Sequence, residues 1–186
     1  RFDRWIQRLV SPLLSIPHAA AAFGFAFLVA PSGLLLRWLS PSLTGFERPP
    51  DWLLLNDPFG MSLISGLVFK EIPFLLLVSL AGLPQLNAGQ RVMLARSLGY
   101  LPRVAWFKTV APALYPLIRL PVYAVLAFAT STVDVAMILG PNLPSTLSVQ
   151  VVQWFNDPDL SRRFLASAGA LLQLLVTVST LSVWWG

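Results

Sequence analysis

Cysteine is absent from the 186 residues, which removes disulfide frameworks, thiol nucleophiles and cysteine-ligated metals from consideration. Charge is scarce as well. Asp, Glu, Lys and Arg make up 11% of the chain against 56% hydrophobic residues, and the mean hydropathy is +0.70. A soluble domain carries about 25% charged residues, so this chain takes lipid as its solvent. Histidine occurs once, as His18. Without a second His or a Cys it completes neither a metal set nor a Ser-His constellation, which leaves an interfacial or helix-packing role. A Gly-x-x-x-x-Gly-Lys-Ser/Thr phosphate loop is missing too, and "NDPD" at 156–159 lacks the spacing and distal Glu of a calcium loop and reads as a turn. No catalytic residue and no metal ligand is nominated. The net charge of +5 does not point to nucleic acid, because the bases stand at the ends of apolar runs.

What is present is four apolar runs of about 20 residues, the length that crosses roughly 30 Å of hydrocarbon: 11–36, 59–83, 114–139 and 164–185. Each must be helical, since lipid offers free N–H and C=O groups no partner and no alternating barrel pattern occurs. The expected fold is all-α: a single polytopic membrane domain of four transmembrane helices, with prolines at 17, 31, 73 and 121 kinking or ending them. The start at Arg1 and the stop at "VWWG" within an apolar run lead us to expect a piece of a longer polypeptide.

Orientation follows from the connections, because Lys and Arg are retained on the cytoplasmic side. The loop 84–113 holds Arg91, Arg96, Arg103 and Lys108, with Arg119 just beyond, and no acid; the N-terminal stub has Arg1, Arg4 and Arg8 against Asp3. The other two connections, "RWLSPSLTGFERPPDWLLLNDPFG" and "GPNLPSTLSVQVVQWFNDPDLSRR", mix acids with bases. Both ends are therefore expected in the cytoplasm, with loop 84–113 between them and the mixed loops outside. In the outer loops "FERPPDW" and "NDPFG" read as turns closed by local Asn or Asp hydrogen bonds. "PSTLSVQVVQWF" reads as a short helix, capped at Ser145 or Thr146, that lies in the interface or dips into the membrane. Trp38, Trp52, Trp154, Trp184 and Trp185 suit interfacial belts.

The stretch "LARSLGYLPRVAWFKTVAP", 94–112, is the most polar part of the chain's middle. A helix over Arg91–Leu98 should stop at Gly99, where a left-handed residue costs least. It can restart at Pro102, with Val104, Phe107 and Val110/Ala111 forming one apolar face before Pro112. Inside the spans, Lys70, Glu71 and Asp134 cost roughly 2.5–3.5 kcal/mol each and need partners or water. Lys70 and Glu71, 100° apart on a helix, should find different partners or carbonyls freed by Pro73. Lys70 is read as structural. Asp134, after Thr130, Ser131 and Thr132, either attracts a cationic cargo at the outer mouth or bonds a neighbouring helix.

Ala95, Gly99 and Pro112, placed between one span and the next, resemble the EAA loop of the membrane subunits of binding-protein-dependent ABC importers. The flanks are similar as well: "KEIPFLLLVSLAGLPQLN", "STVDVAMILGPNLPSTLSV" and "PHAAAAFGFAFLVAPSG" resemble the iron, polyamine and thiamine branch, and in particular fused two-half permeases of thiamine type. The chain would be the last four spans of one permease half. The resemblance implies a coupling helix formed by Ala95, Arg96, Ser97, Gly99, Tyr100, Phe107 and Pro112, seated on a cytoplasmic ABC ATPase dimer that binds the ATP and Mg. It also implies a second permease half, a periplasmic substrate-binding protein, and a translocation path including Asp134, Thr130, Ser131 and Glu71. No cofactor would belong to this chain, and the location would be the bacterial inner membrane. The pattern departs at Met93, where the family's acid should fall, at Leu94, where its following alanine should, and at Ala111, in place of a leucine. A structural or ion-conducting subunit without an ATPase remains an alternative, as does an intramembrane enzyme, although Glu71, Asp134 and His18 are too scattered in sequence to supply one.

Overall fold

The computed structural model describes residues 11, 12 and 14–185. Arg1, Asp3, Arg4 and Arg8, on which the inward placement of the N-terminus partly rests, lie outside the described residues. The helices are α1 (His18–Val29), α2 (Leu34–Leu39), α3 (Met61–Gly82), α4 (Ala88–Ser97), α5 (Pro102–Thr109), α6 (Ala111–Ser131), α7 (Asp134–Leu139), α8 (Leu147–Phe155) and α9 (Arg162–Trp185), with a 3₁₀ turn at Leu83–Leu86. No strand occurs among the described residues, only an isolated bridge between Asn142 and Ser145.

Four runs among the described residues are long and apolar enough to cross a membrane: His18–Leu39, Met61–Leu86, Ala111–Ser131 and Arg162–Trp185. The shortest has 21 residues, which at about 1.5 Å per residue covers about 30 Å. The prolines explain where helices differ from the uninterrupted runs expected from hydropathy. Pro17 immediately precedes α1, and Pro31 falls in the gap between α1 and α2, because proline lacks an N–H and restricts the residue before it. Pro73 in α3, and Pro116 and Pro121 in α6, are instead kept inside helices, as neighbouring helices in a membrane allow. The third run, read as one helix over 114–139, ends at Ser131 and restarts at Asp134.

The chain divides into two compact units, cut within α3 and within α6. One holds Glu71–Val125 together with the described residues up to Ser15; the other holds Ile16–Lys70 and Leu126 onward. In the first, the end of α3 lies against the start of α6 because residue 82 has no side chain. A Cβ on Gly82 would stand 3.2 Å from Leu114 Cδ1 and 3.5 Å from Leu117 Cδ1. Beyond it, α4 and α5 fold back on each other.

The second unit is centred on Ala22, Leu67, Val135 and Leu139, with Phe25, Ala26, Leu63, Phe128 and Ala129 around them. Lipid tails are as apolar as leucine, so burial alone holds little here; close packing and hydrogen bonds carry the association. Small residues make that packing possible. A Cβ on Gly66 would collide with the Leu139 side chain, and one on Gly169 of α9 would stand 2.8 Å from Val151 Cγ2 and 2.9 Å from Trp154 Cζ3 of α8. His18 stacks on Phe128 with ring centroids 4.3 Å apart, the helix-packing one of the two roles left open by its isolation in the sequence.

Polar groups at the ends of these helices are tied in. Asp57 accepts from the Met61 and Ser62 backbone N–H groups, each at 2.8 Å, and caps α3. The Ser62 hydroxyl also lies 2.6 Å from the Leu139 carbonyl, fixing the end of α7 to the start of α3. Asn56, at φ 55, donates to the Gly140 carbonyl at 2.7 Å, a bond across 84 residues rather than the local one expected of this turn. Lys70 Nζ donates to the Ile16 carbonyl at 2.8 Å. That carbonyl belongs to the residue before Pro17.

Candidate functional site

The helix pair α4–α5 is shaped by one glycine. At the end of α4 the Tyr100 N–H bonds to the Ala95 carbonyl at 3.3 Å and the Gly99 N–H to the Arg96 carbonyl at 3.0 Å. Gly99 itself sits at φ 88. This is a Schellman closure, which satisfies the last carbonyls of the helix with backbone alone and needs a left-handed residue that glycine adopts without strain. Pro102 then opens α5 at a position where its missing N–H costs nothing. Pro112 occupies the equivalent first turn of α6.

Alanines let the two helices meet: Ala95 is 4% exposed and Ala105 fully buried, with Val110 buried below them. The inward face of α5 is therefore Ala105 and Val110. Of the apolar face read from spacing, Val104 and Phe107 are exposed while Val110 is buried. Met93, Leu94, Leu98, Leu101 and Phe107 are each 68% to 78% exposed. The family-like position 93 thus presents a thioether to its surroundings where an acid was expected.

Around these apolar side chains stand the bases. Lys108 Nζ lies 4.7 Å from the centre of the Tyr100 ring, within the range of a cation–π contact. Arg91 Nε donates to the Leu86 carbonyl at 2.9 Å, and Ser97 Oγ to the Leu94 carbonyl at 2.7 Å. Trp106 and Phe107 pack edge to face. Among the described residues no carboxylate pairs with Arg91, Arg96, Arg103 or Lys108. Ala95, Arg96, Ser97, Gly99, Tyr100 and Phe107 are thus drawn into one small helix pair with Pro112 just past it. The exposed leucines at 94, 98 and 101 were missed from the sequence, although four apolar residues in a basic segment outside any span were the available signal.

The second group is arranged differently. Thr130 Oγ1 bonds to the Leu126 carbonyl of its own helix and lies 3.2 Å from Thr177 Oγ1. Ser131 Oγ bonds to the Ala127 carbonyl. The helix stops there, and the carbonyls that it would leave without partners are met by side chains: Gln173 Nε2 of α9 donates to Thr130 O at 2.7 Å, and Ser148 Oγ of α8 to Thr132 O at 2.8 Å. Asp134 opens α7 and is exposed, on the favourable positive end of the helix. Glu71 is counted with the other unit and is buried. Gln173 and Ser148 were not legible as partners of this break, since their bonds span 43 and 16 residues.

Two acids outside the spans are tuned by backbone. The N–H groups of Ser62 and Met61 hold the Asp57 carboxyl below its ordinary value of 3.8, against the opposing pull of burial. The Ser161 N–H does the same for Asp159 ahead of α9. Among the described residues no group of three or more His, Asp or Glu could hold a metal.

No protein-family model matches the chain, and no solved structure does. It is 35% identical over 164 residues, 88% of its length, to the inner membrane ABC transporter permease protein YnjC of Escherichia coli (strain K12). The chain spans 30% of that relative's length. Over most of its length the chain is thus similar to part of an ABC transporter permease, and among the described residues four helices are long and apolar enough to cross a membrane.

Proposed function

We propose that the chain is part of the transmembrane permease of an ATP-driven importer, and that residues 90–112 dock the cytoplasmic ATPase. The observation that carries this reading is the α4–α5 pair: apolar side chains at 93, 94, 98, 101 and 107 exposed in a basic setting, on a backbone turned by Gly99. Four bases and no acid between 84 and 113 favour the cytoplasmic side. An apolar patch ringed by one sign of charge fits a protein groove of the opposite sign. ATP and Mg are bound by that ATPase dimer, in keeping with the lack of a phosphate loop here.

A second permease half completes the path, because four helices are too few to surround and gate it, and a periplasmic substrate-binding protein delivers the cargo. The cargo is a small cation of thiamine, polyamine or ferric type. Asp134, exposed beside Thr130 and Ser131, attracts it at the outer mouth, and Glu71 is a separate pathway candidate within its own unit. Closure of the ATPase dimer pushes α4 and α5 and alternates the access of the path. Purifying the full-length protein from its native membrane tests this. A co-purifying ATPase whose hydrolysis rises with a substrate-binding protein is expected; a permease that captures no ATPase would favour a structural or ion-conducting subunit.

A further inference from the structure

Beside the connection after α2 lies an open cleft of about 540 Å³ that the transport reading does not use. Its lining includes Arg37, Ser40, Phe46, Glu47 and Arg48, all within one unit. The volume falls in the range typical of ligand pockets, roughly 300–1,000 Å³. Among the described residues, the side chains of Arg37, Glu47 and Arg48 are exposed and form no ion pair or hydrogen bond with one another, even though the two signs share one lining. Paired charges would need no ligand; separated ones present a cationic and an anionic subsite side by side.

Position narrows the ligand. Arg37 lies in the last turn of α2, which ends the first apolar run at Leu39, so the cleft is at headgroup depth. Leu34, Leu35 and Trp38 of the same helix are exposed, Trp38 by 81%, and Leu43 beyond it by 78%. A dipolar head with apolar tails satisfies both features. We propose that this cleft binds a zwitterionic phospholipid of the phosphatidylethanolamine type. The guanidinium groups of Arg37 and Arg48 take the phosphodiester, the Glu47 carboxylate accepts from the primary ammonium, and the acyl chains lie along Leu34, Leu35 and Trp38. Arginine suits phosphate because its planar fork donates two parallel hydrogen bonds. A quaternary choline head has no N–H to offer Glu47, so the site discriminates by donor count.

Native mass spectrometry of the full-length protein, loaded with equimolar phosphatidylethanolamine, phosphatidylcholine and phosphatidylglycerol, tests this. The wild type is expected to retain one ethanolamine lipid in preference to the other two. Arg37→Ala with Arg48→Ala should weaken retention of that lipid by about tenfold or more, the worth of a lost charge-assisted pair. Arg37→Lys with Arg48→Lys should lose less, and Glu47→Leu, which removes the acceptor, should keep the lipid while bringing ethanolamine and choline heads to parity. Arg162→Ala, which breaks the 3.1 Å pair with Asp157 in another loop, should change nothing, and unaltered thermal melting checks that each variant is folded. Full retention by the double alanine variant would overturn the proposal. So would a wild type without headgroup preference, or displacement of the lipid by free phosphoethanolamine, which would make the ligand soluble.

Discussion

The helical path is broken at Leu98–Leu101 and again at Thr132–Val133, and the two breaks are closed by opposite means. The first is closed from within. Backbone bonds from Gly99 and Tyr100 finish α4, so no other element is needed and the apolar side chains around the turn stay outward. The second is closed from outside, by Gln173 and Ser148 reaching in from α9 and α8. A locally closed break is free to offer its surface to a partner, whereas one closed by its neighbours fixes those neighbours in place. That contrast is why the first suits docking and the second suits holding a helix discontinuity within an apolar setting, where unmet carbonyls are costly.

Three substitutions separate the two breaks, and a fourth tests the cap of α3, from the largest effect to the smallest. Gly99→Asp puts a side chain at φ 88 and an acid among bases; membrane insertion should persist while ATPase-coupled uptake is lost, read by transport in inverted or whole-cell vesicles. Normal uptake would show that the turn is only an anchor. Gly169→Leu forces α8 off α9 at the point where a Cβ already meets Val151 at 2.8 Å. Overpacking of this kind costs about 1–3 kcal/mol, which should appear in denaturant unfolding and weaken the second break alone. Gln173→Leu removes the donor to Thr130 O and should cost about 0.6–1.7 kcal/mol, the span of interhelical bonds in membranes. A neutral result in the same unfolding measurement would mean that the break is satisfied without α9.

The smallest effect is one of pH. Since the Asp57 carboxyl is held below 3.8, its folded form releases the proton more readily than the unfolded form. Its contribution is therefore complete above that value and disappears as pH falls through the lowered one. Asp57→Asn should flatten the difference in melting temperature between pH 6 and pH 3, and an unchanged slope would remove Asp57 as the cap that titrates.

The same contrast decides what could be read before the structure. Gly99, Pro102 and the two helices around them are coded by neighbours in sequence, so turn and helix rules place them. Hydropathy finds the spans, but it cannot see the stop at Ser131, because Thr130–Asp134 lies inside an apolar run and its closing partners are distant. Spacing groups Val104, Phe107 and Val110 on one apolar face, but the contact between α4 and α5 depends on how small Ala95 and Ala105 are, which no periodicity shows. Asn56 shows the limit most plainly, a turn residue whose side chain bonds to Gly140 rather than to its own turn.

Because the chain contains no cysteine, single thiols can be placed at will. The most direct test introduces Leu98→Cys, Phe107→Cys and, as a contrast in the second break, Ser131→Cys, and treats native membranes with a short bifunctional thiol reagent. Docking through α4–α5 predicts that the ATPase is cross-linked from positions 98 and 107 and not from 131. Cross-links to the ATPase absent from both 98 and 107, with the ATPase bound and bearing reactive cysteines, would contradict it.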